Sequence, residues 1–222
     1  MQNEIFETQD GSHSILSKEY GVSYHSRYGA VQESQHVFIE AGLYAKGLAQ
    51  KEIAILEFGF GSGLNAFLTM LEAEKHQWNI YYETIEAYPI NIAQASQLNY
   101  PTLLNASHLQ EQFLQMHACP PDVGQQPTPN FIFRKILQRF EDVNYSPTFD
   151  LIYFDAFAPS AQPDLWNETI LVKAYQALKS QGIFVTYCAK GEVKRILKNI
   201  GFQVEALPGP PGKREMTRGV KK

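Results

Sequence analysis

Apolar positions along the chain fall into two rhythms. Ile53-Ala54-Ile55-Leu56-Glu57-Phe58 and Phe149-Asp150-Leu151-Ile152-Tyr153-Phe154 are short, nearly unbroken apolar runs, the pattern of strands covered on both faces. Leu64, Phe67, Leu68 and Leu71 recur instead at helical spacing and share one face. Carried along the chain, this alternation predicts a strand over 53–58, a helix from Leu64, a second strand over 79–85 and a helix over 89–98. A third strand over 131–137 and a fourth over 149–154 follow, then a helix from Pro163-Asp164 to about Leu178, a fifth strand over 183–187 and a helix over 190–200 stopped by Gly201. Segments 202–207 and 216–220 predict a closing antiparallel hairpin across Pro208-Gly209-Pro210-Pro211-Gly212. Pro120, Pro121, Gly124, Pro127 and Pro129 predict an irregular surface excursion over 117–130.

Residues 1–52 do not continue the alternation. Asp10-Gly11 is a hairpin turn signal, Tyr24-His25-Ser26-Arg27-Tyr28 is polar and aromatic, and Val37-Phe38-Ile39 is apolar. They predict a small β-rich N-terminal extension with a short helix near Leu43 to Leu48, placed to cover a site formed by residues 53–222. His25 and His36 lack partners at metal-ligand spacing and read as structural residues. The fold class is therefore α/β: a Rossmann-like, doubly wound, mostly parallel sheet with an antiparallel C-terminal strand and an N-terminal extension.

The first strand runs into Gly59-Phe60-Gly61-Ser62-Gly63-Leu64-Asn65. This is G-x-G-x-G and not the dinucleotide pattern G-x-G-x-x-G, since Leu64 stands where the last glycine would be. Glu57 just ahead of the loop would repel a pyrophosphate and suits a ligand carrying an ammonium group, as S-adenosylmethionine does at its methionine end. Glu57, Phe58, Gly59, Gly61, Gly63 and Asn65 are thus the candidate cofactor loop. Glu86, at the end of the second strand, can accept two O–H bonds from a ribose diol, and Gln138, at the end of the third, can read an adenine edge. Asp155 ends the fourth. Ligands of such sheets lie beyond the carboxyl ends of the strands, which is where Glu57, Glu86, Gln138 and Asp155 all fall. A ligand-free βα turn, and for Glu86 a charge at a helix start ahead of Pro89, are the competing structural readings.

Length and composition narrow the class. The 222 residues suffice for one α/β domain with appendages, and 44% hydrophobic content supplies a core. There is no apolar run long enough to span a membrane and no signal-peptide pattern. Cys119 and Cys188 have no metal spacing, so no metal is expected and a cytoplasmic location fits. The net charge of −4 is unevenly spread: from Lys190 to Lys222 nine basic residues face three acids, a surplus of +6 that leaves −10 for the rest. A basic tail of this kind suits phosphates, and equally a solvated helix face.

Three motifs, Phe58-Gly59-Phe60-Gly61-Ser62-Gly63-Leu64-Asn65, Asp155-Ala156-Phe157-Ala158-Pro159 with Pro163-Asp164-Leu165-Trp166, and Lys213-Arg214-Glu215-Met216, occur in this order. Over roughly residues 30–220 the chain resembles the methyltransferase domain of the MnmC family, which modifies the tRNA wobble uridine, and the stand-alone form of that domain. The resemblance implies a class I S-adenosylmethionine-dependent methyltransferase fold that methylates the amine of 5-aminomethyl-2-thiouridine in the anticodon. It implies that Asp155 sits beside the acceptor amine and that Glu86 binds the cofactor ribose. It also implies that the flavin oxidase domain of the bifunctional enzymes is absent from this chain. Where the family often has Gly and Gly-Asp, this chain has Ala156 and Leu137-Gln138.

On this reading Asp155 orients the amine and Phe157 stacks on the uracil or lines its pocket, both as catalytic residues, while Lys213, Arg214 and Arg218 meet anticodon-stem phosphates. With an ordinary pKa of about 3.9, Asp155 would be a poor base for an alkylamine. The alternatives are a polyamine aminopropyltransferase-like enzyme, against which Glu57 and the basic tail count, and a non-catalytic RNA-binding module with the same fold, against which the intact glycines and Asp155 count.

Overall fold

The computed structural model describes residues 3–47 and 50–222. Its first element is a three-stranded antiparallel sheet of β1 (Glu4–Glu7), β2 (His13–Ser17) and β3 (Val22–Ser23). The apolar runs then build a second sheet from β4 (Glu52–Phe58), β5 (Asn79–Ile85), β6 (Gln125–Thr128), β7 (Phe131–Ile136), β8 (Phe149–Phe154), β9 (Leu178–Thr186), β10 (Phe202–Pro208) and β11 (Glu215–Lys221). Its eight strands lie in the order β10-β11-β9-β8-β4-β5-β7-β6. The five central strands are parallel, and β11, β10 and β6 join antiparallel at the two edges. This is the doubly wound, mostly parallel sheet expected, with its small N-terminal β extension.

Alternation along the strands divides the core in two. Ile53, Ile55, Leu151, Tyr153 and Val185 pack on one face with Leu64, Phe67 and Met70 of the helix Leu64–His76. Leu56, Phe58, Ile152, Phe154 and Phe184 pack on the other with Ile170 and Leu171 of the helix Glu168–Ala177 and with Val193 and Leu197 of the helix Gly191–Asn199. In register β4 sets Glu57 beside Tyr153 of β8 and Thr84 of β5. Asp155 lies two residues beyond Tyr153, so the strand period of two brings it back to the face that Glu57 occupies.

Several segments differ from the sequence expectation. Val37-Phe38-Ile39 reads as extended but lies in a helical segment, Ala30–Ser34, a π-helix Gln35–Leu43 and Tyr44–Gly47. All three side chains are buried, and Gly42 brings this segment so close to the sheet that a Cβ there would stand 3.1 Å from Val185. Packing against the sheet overrides the local preference. Leu48, the expected end of this helix, lies outside the described residues. The helix expected over 89–98 is one turn, Ile92–Ala95, started by Asn91, whose side chain accepts the Gln94 N–H at 2.9 Å. The excursion over 117–130 contains the edge strand β6, where Pro127 sits without costing the sheet an interior ladder bond. Pro163–Trp166 is a separate 3-10 turn. Among the described residues no helix is long and apolar enough to cross a membrane.

The helix after the Asp155 loop starts at Asn167, whose Oδ1 accepts the Ile170 N–H at 3.1 Å. Asn167→Ala should lower unfolding free energy by about 1 kcal/mol, read by denaturant titration; an unchanged midpoint would remove the cap from the account.

Candidate active site

The carboxyl edge of the central strands is held together by main-chain bonds that run one residue past the strands. Gly59 N–H donates to the Ile85 carbonyl at 3.0 Å, Glu86 N–H to Ile136 at 2.9 Å, and Asp155 N–H to Phe58 at 2.9 Å. The glycine turn, Glu86 and Asp155 are thereby neighbours. At Gly59, with φ +98°, a Cβ would stand 2.8 Å from the Asp155 carbonyl oxygen, so only glycine lets the two loops meet. Gly63, with φ +76°, begins the helix Leu64–His76, and a Cβ there would strike the His117 ring. Gly61 N–H donates to Glu86 Oε2 at 3.0 Å, and the other Glu86 oxygen accepts the Tyr88 N–H at 2.9 Å. The glycine loop and the acid of the second strand are thus one unit.

A cavity of about 240 Å³ opens at this edge, walled by Gly59, Gly61, Glu86, Asp155 and Phe157. Tyr20, Tyr24 and Glu19 of the N-terminal extension close another side, and Phe140, Arg139 and Glu141 complete it. The Phe157 ring is 5.3 Å from Tyr20 and 5.0 Å from Tyr24, the latter edge-on. The Trp166 indole N–H donates to the Phe157 carbonyl at 2.7 Å, and the Tyr187 hydroxyl donates to the Ala156 carbonyl at 2.7 Å, so the loop carrying these groups is tied from both sides. His25 Nε2 and Ser62 Oγ lie 2.7 Å apart and pin the extension to the glycine loop. Burial draws the His25 imidazole down to about 4, which keeps it neutral.

Two carboxylates share the interior of the site. Burial pushes Glu57 up to about 8, against hydrogen bonds donated by the Thr84 hydroxyl (2.7 Å) and the Asn65 amide (3.1 Å). Asp155 is pushed up to about 7, first by burial and then by the charge of Glu33, against the Asn65 hydrogen bond and the Lys213 charge. Lys213 is itself bound to the buried Glu33 and lies 3.9 Å from the centre of the Tyr187 ring.

The structure therefore gathers Gly59, Gly61, Glu86, Asp155 and Phe157 on one wall and leaves other expected site residues off it. Glu57, Phe58 and Asn65 lie behind the loop, buried. Gln138 is exposed and off the wall, where Arg139, Phe140 and Glu141 stand. Lys213 pairs with Glu33, and Arg218 pairs with Glu205 at 2.7 Å, while Arg214 is exposed. Tyr20 and Tyr24 were not expected as site residues. Their one sequence signal is the aromatic-polar string around Tyr24, which does not say what it folds against. Among the described residues no group of three or more His, Cys, Asp or Glu is placed to hold a metal ion.

Comparison with known proteins adds the following. A family model described as S-adenosyl-L-methionine-dependent methyltransferase matches residues 105–222. The tRNA 5-methylaminomethyl-2-thiouridine biosynthesis bifunctional protein MnmC of Aromatoleum aromaticum is 30% identical over 227 residues, covering 96% of this chain and 34% of that protein. The protein of the same name from Magnetococcus marinus is 30% identical over 213 residues, covering 90% and 31%. This chain spans about a third of the length of these relatives. The crystal structure of MNMC2 from Aquifex aeolicus superposes with a TM-score of 0.78 at 24% identity, covering 98% of this chain and 70% of that one, a likeness of fold.

A carboxylate raised on folding keeps its proton where the unfolded chain has lost it, so its contribution is full below the unfolded value and fades as pH rises through the folded one. For Glu57 that window runs from about 4.5 to about 8. Glu57→Gln should make the fall of melting temperature across this window shallower than in the parent; parallel curves would show that Glu57 does not carry the effect.

Proposed function

We infer the reaction from the premise that the family model supplies: the chain belongs to the S-adenosyl-L-methionine-dependent methyltransferases. The methyl donor is S-adenosylmethionine, whose sulfonium carries an electrophilic methyl group. The cavity suits such a cation, since Glu86 and Glu19 supply negative charge and Tyr20, Tyr24 and Phe157 supply aromatic faces, while Glu141 is paired with Arg139. Glu86, already anchored to Gly61, would hold the ribose, and the main chain at Gly59 and Gly61 would line the donor's path.

The acceptor we propose is the amine of 5-aminomethyl-2-thiouridine at the tRNA wobble position, which methylation converts to the methylaminomethyl form. Support comes from the relatives named for 5-methylaminomethyl-2-thiouridine biosynthesis. The observation that carries the reading is a carboxylate on the cavity wall with a proton affinity near neutrality, Asp155. Attack requires an amine lone pair free of its proton. Asp155 Oδ2 is engaged by Asn65, so Oδ1 is the oxygen that takes this proton, and it then faces the secondary ammonium that methyl transfer leaves, which gives up its extra proton to solvent on release. At about 7 this carboxylate is a far better match to an alkylamine than an ordinary aspartate, so the environment supplies what the residue type lacks. Phe157, braced by Tyr20 and Tyr24, offers the pyrimidine a flat apolar wall. Of the three basic candidates, Arg214 is the one whose side chain is exposed for a phosphate. Lys213, tied to Glu33, acts in this proposal by its charge near Asp155, while Arg218 is tied to Glu205. A tRNA substrate carries with it a cytoplasmic location.

The test is incubation with labelled S-adenosylmethionine and tRNA that retains the aminomethyl precursor, followed by nucleoside mass spectrometry. The methylaminomethyl nucleoside is the expected product. Stabilisation by decarboxylated S-adenosylmethionine in preference to the parent compound would favour aminopropyl transfer instead, and stabilisation by neither would favour a binding module. Asp155→Ala should leave donor affinity intact and lower transfer by more than about tenfold, or about 1.4 kcal/mol of barrier; a smaller loss removes the proton-acceptor role. Glu86→Ala should weaken donor binding by calorimetry, and an unchanged dissociation constant would take it out of the site.

A further inference from the structure

Asn65 stands in the first turn of the helix Leu64–His76 with its side chain buried. Its Nδ2 donates to Glu57 Oε1 at 3.1 Å and to Asp155 Oδ2 at 2.8 Å. An amide nitrogen carries two hydrogens, so each carboxylate receives one. Reversing the amide would aim its oxygen at two carboxylates, and the observed orientation is therefore fixed. It leaves Asn65 Oδ1 buried with no hydrogen-bond partner among the described residues. A buried acceptor without a donor is unfavourable, and the two carboxylate bonds are what the side chain gains in exchange. Glu57 has both oxygens engaged, one by Asn65 and one by Thr84, and does not reach the cavity wall. It is thus a closed second carboxylate whose connection to the site runs through Asn65.

We propose that Asn65 is a positioning residue: anchored on the buried Glu57, it donates to Asp155 and fixes both the place and the proton affinity of that carboxylate. This rests on the reading that Asp155 accepts the amine's proton. The site explains why a bridge is needed. Glu33 from the N-terminal helical segment puts negative charge beside Asp155, Lys213 ahead of β11 counters it, the charge of Asp155 in turn raises Glu57 of β4, and the hydroxyls of Tyr82 on β5 and Tyr187 after β9 face the same region. Two carboxylates on one face repel each other, and a shared donor between them holds both in place while favouring their ionised forms.

The bridge predicts different effects for its two ends. Asn65→Ala removes a donor from ionised Asp155, so Asp155 should hold its proton to higher pH. Glu57→Gln keeps an oxygen for Asn65 to donate to, and Glu57 is itself uncharged where Asp155 titrates, so the Asp155 midpoint should stay in place. The measurement is carboxyl carbon NMR of the full chain labelled at aspartate, with the Asp155 signal assigned by its loss in Asp155→Asn. We expect the Asp155 midpoint to move up by about half a pH unit or more in Asn65→Ala, roughly a threefold change in proton affinity, and by less than about a quarter of a unit in Glu57→Gln. The acid limb of the pH profile of methyl transfer should move the same way, with donor dissociation constants changed less than about threefold.

An Asp155 midpoint that stays put in folded Asn65→Ala, or that moves as far in Glu57→Gln, overturns the proposal. So does an Asn65→Ala protein whose defect is a weakened donor dissociation constant with an unmoved Asp155 titration. If circular dichroism shows that Asn65→Ala does not fold, Asn65→Ser decides, since its one hydroxyl hydrogen cannot serve both carboxylates: an upward shift supports the bridge and an unmoved midpoint refutes it. Should the parent fail to methylate tRNA, the NMR titration still reports the bridge, so that failure falls on the assigned reaction.

Discussion

The hydrogen bond from the Asp155 N–H to the Phe58 carbonyl, 2.9 Å long, is the constraint on which the site depends. It extends the pairing of β4 and β8 past the strands themselves and draws the Asp155 loop against the glycine turn. The absence of a side chain at Gly59 follows from it, because the Asp155 carbonyl fills the space a Cβ would need. So does the position of the acid, since strand alternation returns Asp155 to the face carrying Glu57 and the helix that begins at Leu64. One main-chain contact thus sets the Asp155 loop and the glycine turn side by side.

Electrostatics in this corner are set by neighbours and not by residue type. An aspartate and a glutamate in water would both be ionised well below neutrality. Here desolvation lifts Asp155 to about 7 and Glu57 to about 8. The Glu33–Lys213 pair stands behind them, with Lys213 over the Tyr187 ring. Because Lys213 comes from the loop ahead of β11 and Glu33 from the helical segment before β4, segments from the two ends of the sequence meet beside Asp155.

The central sheet was legible because Ile53 to Phe58 and Phe149 to Phe154 leave little choice: runs that apolar, broken by glycine or acid, are buried strands with ligand-facing ends. Gly59, Gly61, Glu86 and Asp155 were legible for the same reason, since their place follows from strand order alone. What stayed hidden depends on contacts between segments far apart in the chain. Tyr20 and Tyr24 reach the cavity only because the small sheet folds back over the glycine loop. Lys213 was expected to meet phosphates, and its pairing with Glu33 was not visible because the two are 180 residues apart along the chain. The acidity of Asp155 could not be inferred from its identity, because desolvation is a property of the folded surroundings.

The contact between His25 and Ser62 makes the N-terminal meander and the glycine loop mechanical partners. Any molecule seated in the cavity touches residues from both, Tyr24 on one side and Gly61 on the other. Its binding energy is therefore shared with the docking of the first sheet onto the second. Affinity for a ligand there and docking of the first sheet are in this way linked, so that strengthening one strengthens the other.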